Sequence, residues 1–242
     1  MDYCRKAKRI AGNGNLIKVV WCHSLPPFLE VKMKKQHDIR IDRSKLHPLL
    51  RKKLGILLKE CEKKGIYLII TEGFRTKEYQ DALYAKGRTK PGKKVTNAPG
   101  SAYSSQHQWG IAFDIAINDA KLLYDEKTIR KVAKIAKSEK VGLSWGGDWK
   151  SIVDTPHFYL GKWGSTTSKL KKLYGTFDKF KKTWTSTVKK KSRFRKGKVG
   201  TSATIGYIPK GEKVKVLWTS KLGYAKICYG GKYGYVQKRN LS

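Results

Sequence analysis

Two short clusters in this chain hold the residue types of a metal site. His107 and Asp114 lie in Ser105-Gln106-His107-Gln108-Trp109-Gly110-Ile111-Ala112-Phe113-Asp114, and Asp154 and His157 lie in Asp154-Thr155-Pro156-His157. A catalytic zinc takes three protein ligands, leaves one position open for water, and works beside a base that accepts that water's proton. His107, Asp114 and His157 can fill the first role and Asp154 the second. Two neutral imidazoles and one carboxylate would leave the ion net positive and bring the acidity of water towards neutral pH. Pro156 stiffens the turn between Asp154 and His157, so both can reach one metal-centred space. His23, His37 and His47 lack such company and read as core or solvated histidines.

The elements that must position these residues follow from patterning. Asp42-Arg43-Ser44 can cap a helix from about Lys45, with Pro48 in its first turn. Its apolar stripe runs through Leu46, Leu49, Leu50, Leu54, Leu57, Leu58 and Cys61 and ends at Gly65. Ile66 to Thr71 reads as a buried strand that delivers Arg75 to a loop, and Lys77 to Lys86 as a short helix. Residues 87–103, rich in Gly, Pro, Lys and Asn, read as a loop over the site. Trp109 to Ile117 alternates as a strand. Positions seven apart on a strand face opposite ways, so His107 must lie on a turn before the strand that holds Asp114. Thr128 to Val141 reads as a basic helix with Ile129, Val132, Ile135 and Ala136 inward, and Phe158 and Leu160 continue His157 into a last strand. Residues 163–190, with Ser, Thr and many Lys, read as a linker with a helical portion through Leu170, Leu173, Phe177 and Phe180. Beyond it, short β runs punctuated by glycine (Ile205 to Ile208, Val214 to Val216, Tyr233 to Val236) read as a small barrel.

Composition bounds the class. The 242 residues suffice for one medium domain and a small one, and 39% hydrophobic with 30% charged content is globular. Nothing approaches the roughly 20 apolar residues of a transmembrane segment. Arg5, Lys6, Lys8 and Arg9 precede an apolar stretch that Lys18 and His23 interrupt, so no secretory signal is expected and the chain reads as made in the cytoplasm. Cys4, Cys22, Cys61 and Cys228 form neither a C-x-x-C pair nor a disulfide framework, and read as free thiols outside the metal site.

The order Ser-x-His-x-x-Gly-x-Ala-x-Asp then Asp-x-Pro-His resembles the LAS/M15 zinc peptidases, and within them the phage endolysin and cell-wall hydrolase branch, where the base is Asp. Thr71-Glu72-Gly73-Phe74-Arg75-Thr76 with Gln80, and Trp145-Gly146-Gly147-Asp148-Trp149, are similar to two further segments of that family. The resemblance spans about residues 40 to 162. It implies an α+β fold, a small mostly antiparallel sheet with packed helices (LAS/hedgehog-like). It implies zinc on His107, Asp114 and His157, Asp154 as catalytic base and Arg75 as catalytic anion partner. Ser105, Gln80, Trp145 and Asp148 would contact substrate, with Ser105 alternatively orienting His107, Asp148 alternatively accepting a bond from a metal ligand, and Trp149 walling the cleft. Residues 187–242 resemble a bacterial SH3-type domain, giving an expected division of 1–38, 39–165, a linker at 166–186, and 187–242.

The activity implied is a zinc-dependent peptidoglycan endopeptidase cutting the L-alanyl-D-glutamate bond, acting at the bacterial wall after release. A D,D-carboxypeptidase on the same scaffold and a non-catalytic polyanion or wall binder are the alternatives. The net charge of +36 must attract polyanions. Nucleic acid is the default partner of so basic a chain, but the peptidase motifs favour peptidoglycan with its anionic wall polymers, and the even spread of lysines resembles a general field more than a specific nucleic-acid site.

Overall fold

A computed structural model describes residues 37–38 and 41–242; Cys4, Cys22, His23 and the rest of 1–36 lie outside the described residues. β1 (His37–Asp38) leads to α1 (Pro48–Glu62) through a 3₁₀ turn, Arg43–Lys45. Asp42 caps that turn, its Oδ1 accepting from Ser44 N at 2.8 Å. The cap of α1 is His47, whose Nδ1 accepts from Leu49 N at 3.1 Å, with Pro48 in the first helical position where no partner for its nitrogen is needed. The helix therefore starts three residues later than the Asp42 signal suggests. Leu50, Leu54, Leu57, Leu58 and Cys61 are buried as its periodicity requires.

β2 (Leu68–Glu72), α2 (Lys77–Ala85), β3 (Ala112–Ile117), α3 (Glu126–Lys137), β4 (Ser144–Trp145) and β5 (His157–Tyr159) follow. The sheet order is β1-β2-β3-β5-β4, antiparallel except for the parallel β1–β2 pair. α3 begins at Glu126 because Asp125 caps it, accepting from Thr128 N at 2.7 Å. Ile129, Val132, Ala133 and Ala136 of α3 join the α1 leucines and the sheet residues Leu68, Ile70, Phe113, Ile115 and Phe158 in one core.

The segment expected to be a linker is built into that core. α4 (Ser168–Tyr174) and α5 (Phe177–Lys182) bury Leu170 and Phe180, and Trp184 follows them into the cluster that holds Leu46, Trp109 and Trp163. Leu173, placed on the apolar side by its spacing, is exposed. A few large aromatic rings here do the work of a longer aliphatic stripe, since each buries 150–250 Å² or so.

β6 (Thr185–Thr187), β7 (Ser192–Arg195), β8 (Thr204–Ile208), β9 (Lys213–Thr219), β10 (Tyr224–Tyr229) and β11 (Lys232–Gln237) form a second, antiparallel sheet in the order β6-β9-β10-β11-β7-β8. Alternate residues Val214, Ala225, Ile227 and Val236, with Val188, Phe194, Ile208 and Leu241, make its own core. Gly234 is required in β11, because a Cβ there would stand 2.4 Å from the Phe194 ring and 2.6 Å from Arg195 O. Val216 N donates to Trp184 O at 2.9 Å, and Lys52 Nζ of α1 lies 4.4 Å over the Tyr233 ring. Among the described residues no helix is long and apolar enough to cross a membrane.

Candidate metal centre

The sheet register assembles the site. Glu72 at the end of β2 pairs with Asp114 of β3, and Asp114 pairs with His157 at the start of β5, so three polar side chains stand in one cross-strand row. His107 enters from a 3₁₀ turn, Gln106–Trp109, just before β3. That turn closes on Gly110 at φ 63°, where a Cβ would lie 2.3 Å from Lys45 O. Only glycine allows both the left-handed backbone and the close approach.

His107 Nε2 lies 3.3 Å and His157 Nδ1 3.0 Å from Asp114 Oδ1, and the three ligand atoms fall within 4.8 Å of one another. The far side of each ring has a partner. His107 Nδ1 stands 2.7 Å from Gly73 O, which can only accept, so Nδ1 carries the hydrogen and Nε2 keeps its lone pair. His157 Nε2 stands 2.8 Å from Gln106 Oε1, so there Nε2 carries the hydrogen and Nδ1 keeps the lone pair. Two nitrogen lone pairs thus face one carboxylate oxygen at 3.0–3.3 Å with no hydrogen between neutral rings. Such an arrangement repels unless a cation sits among the three, and the spacing approaches the ~3.3 Å edge of a tetrahedron built on zinc bonds of ~2.0–2.1 Å. The donor set fits zinc.

Without a cation the repulsion is relieved by protons instead: burial would raise the Asp114 carboxyl, but hydrogens carried toward it by His107 and His157 outweigh burial and hold it well below the usual carboxylate range. Burial pushes His107 down, against the pull of Asp114. Asp154 moves the other way: burial first, and then the charge of Asp114, raise it. Arg75 is gripped from several sides. Its Nη2 is 3.3 Å from Asp114 Oδ2, its Nε 3.5 Å from Glu72 Oε2, and its backbone N donates to His107 O at 3.2 Å. Glu72 in turn accepts from Tyr79 OH at 3.0 Å.

A cleft of roughly 1620 Å³ opens over this centre, lined by Arg75, Ser105, His107, Asp114, Asp148, Trp149, Asp154 and His157. Two residues expected to contact substrate do not line it. Gln80 is fully buried, donating to Thr96 Oγ1 at 3.0 Å and Ala98 O at 2.9 Å, and so pins the 96–98 loop. Trp145 is packed in the core, 4% exposed, its Nε1 donating to Thr155 O at 2.7 Å, which braces the turn between Asp154 and His157. Asp148 lines the cleft but is paired at 3.0 Å with Lys137 and bonds to no metal ligand. Ser105 lines it too, while the orienting bond to His107 comes from Gly73. Trp149 walls it, its Nε1 donating to Tyr159 OH at 3.1 Å and its ring 5.0 Å from that of His157.

Three features escaped sequence reasoning: Gln106 as partner of His157, Glu72 as anchor of Arg75, and residues 165–168 as a wall of the cleft. A ligating imidazole always needs a partner for its second nitrogen, which could have prompted the search for Gln106; the sequence alone does not say which neighbour supplies it.

Residues 99–160 match the family model described as D-alanyl-D-alanine carboxypeptidase, of the M15 peptidases, and residues 193–242 match that of the bacterial SH3 domain. The peptidoglycan L-alanyl-D-glutamate endopeptidase CwlK of Bacillus subtilis is 39% identical over 128 residues, an alignment covering 48% of this chain and 74% of CwlK. The chain belongs to the LAS/M15 peptidases, a zinc-dependent family, and carries a bacterial SH3 domain after its peptidase sheet. It is also similar to an L-alanyl-D-glutamate peptidase of a Listeria phage, 31% identical over 115 residues, 46% of this chain and 36% of that protein. Among solved structures, the L-Ala D-Glu endopeptidase ChiX of Serratia marcescens is 22% identical, with 49% of this chain and 82% of ChiX covered at a TM-score of 0.37.

Proposed function

We propose that the chain is a zinc-dependent peptidoglycan endopeptidase that hydrolyses the L-alanyl-D-glutamate bond of the wall stem peptide, held on the wall by its SH3 domain. One observation carries the reading: three lone-pair atoms, two of them set by partners on the far side of their rings, converge at the floor of an open cleft that Asp154 also lines. The names of the Bacillus and Listeria phage relatives support the choice of bond.

His107 Nε2, Asp114 Oδ1 and His157 Nδ1 would hold the zinc. When bound, zinc supplies Lewis acidity to the scissile carbonyl and to water. Asp154 is the base: it lines the cleft beside the ligands, on the turn that leads to His157, so it can take the proton of the attacking water and then hand it to the leaving amine. Arg75, fixed by Asp114 and Glu72, presents a rigid guanidinium to an oxyanion or a substrate carboxylate. Ser105, Asp148 and Trp149 shape the cleft around the stem peptide. The +36 charge draws the protein to anionic wall polymers, and it acts at the wall after release from the cytoplasm where it is made.

Digestion of Gram-positive sacculi with the zinc-loaded protein, read by mass spectrometry, tests the activity. New L-Ala carboxyl and D-Glu amino termini, absent under chelation and restored by zinc, are the expected result. Free D-Ala would make it a carboxypeptidase instead, and no new termini would leave a wall binder.

A further inference from the structure

We propose that Gln106 is a positioning residue for the metal: its side-chain amide selects which nitrogen of His157 faces the cluster, and that amide is itself oriented by the chain leaving the peptidase sheet for the barrel. The inference rests on the zinc reading above. Gln106 is 5% exposed. Its Oε1 meets His157 Nε2 at 2.8 Å, while its Nε2 points at Ser165 O, 3.2 Å away, and Gly164 O, 3.5 Å away.

Backbone carbonyls only accept, so the amide nitrogen must face 164–165 and the amide oxygen must face the imidazole; a flipped amide would set oxygen against two oxygens. The oxygen in turn demands a hydrogen on His157 Nε2, which leaves the Nδ1 lone pair toward Asp114 Oδ1. The opposite tautomer would satisfy Asp114 with an N–H and withdraw a ligand from the metal. The carbonyls are well fixed. Gly164 sits at φ 90° and ψ −174°, a backbone that side chains exclude, and Trp163, Thr167 and Leu170 on either side are buried. Partners of this kind set ring orientation and ligand basicity, and their loss lowers metal affinity about 10–100-fold. The residues that composition marks as a linker are thereby a working part of the site.

The test uses the full chain. Zinc affinity is measured by competition with a chromophoric chelator for the parent and Gln106→Leu, and the nitrogen of His157 that carries the hydrogen is read from nitrogen-15 shifts of the zinc-loaded parent. The expected results are a 10–100-fold weaker affinity in the variant and a hydrogen on Nε2 of His157 in the parent. Affinity within twofold of the parent, or a hydrogen on Nδ1, would overturn the proposal. Should Gln106→Leu not fold, the parent's tautomer decides alone. If the parent takes up no zinc, it is the zinc reading that fails; a parent that binds zinc beside a variant within twofold of it refutes the role of Gln106 alone.

Discussion

His47 ties the segment beside the cleft to the peptidase core, and its environment predicts a specific weakness in acid. The ring is 4% exposed, stacked at 5.5 Å on Phe180 and met edge-on by Trp163 at 5.3 Å and Trp184 at 5.2 Å. Burial, with Lys162 and Arg51 nearby, lowers its pKa from 6.5 to about 3. The unfolded chain therefore binds a proton at this position between about pH 6.5 and 3 that the folded chain refuses. Stability is fully present above that window and falls as the pH drops through it. At roughly 1.4 kcal/mol per unit, acidification from pH 6.5 to 4.5 costs about 2–3 kcal/mol from this residue alone. His47→Asn keeps a capping acceptor for Leu49 N and removes the titrating ring. Urea unfolding of the metal-free parent and variant at pH 7 and 4.5 isolates the effect, because the other histidines titrate in both. The parent should lose about 2–3 kcal/mol more than the variant on acidification. Equal losses would show that the ring is charged in place and that the reasoning from burial is wrong.

Trp145→Phe removes the bond to Thr155 O while keeping most of the packing, so a loss of about 1 kcal/mol in thermal unfolding is expected, with slower wall lysis because the Asp154–His157 turn loosens. Gly146→Ala puts a Cβ 2.6 Å from Asp154 O and 3.0 Å from His157 Cβ; displacement of the proposed base and the proposed ligand together should cost about 1–3 kcal/mol of stability and most of the activity, checked by calorimetry and turbidity clearing. Wall binding by the inactive Asp154→Asn chain should weaken more than tenfold between low and physiological salt if the +36 field supplies the attraction, which a sedimentation assay would show.

How much was legible depended on whether local geometry or tertiary packing decided the matter. His107 on a turn and Asp114 inside a strand followed from the two-residue period of a strand, and β2 and α3 are built on the expected patterns, whereas the row Glu72–Asp114–His157 comes from the strand register, which the sequence does not show. Trp145 and Gln80 were not legible as buried braces, because tryptophan and glutamine occur in cores and clefts alike and only the fold says which side of the sheet end they meet. The 166–186 segment hid its role because Phe180 and Trp184 carry its packing among many lysines. β10 was overlooked for a similar reason: Ala225 and Ile227 alternate inward as a strand requires, but Lys226, Cys228 and the surrounding tyrosines blur the contrast. Gln106 depends on where residues 164–165 return, a contact between segments almost sixty positions apart.

The central claim is that Asp154 moves the proton at a site whose metal is held by other residues, and Asp154→Asn tests it most directly. Zinc content, measured on the purified chain, and wall binding should match the parent, while release of new L-Ala and D-Glu termini should slow by about 10²–10⁴-fold, the usual worth of a positioned acid–base group. Turnover within tenfold of the parent at full zinc occupancy would contradict the account.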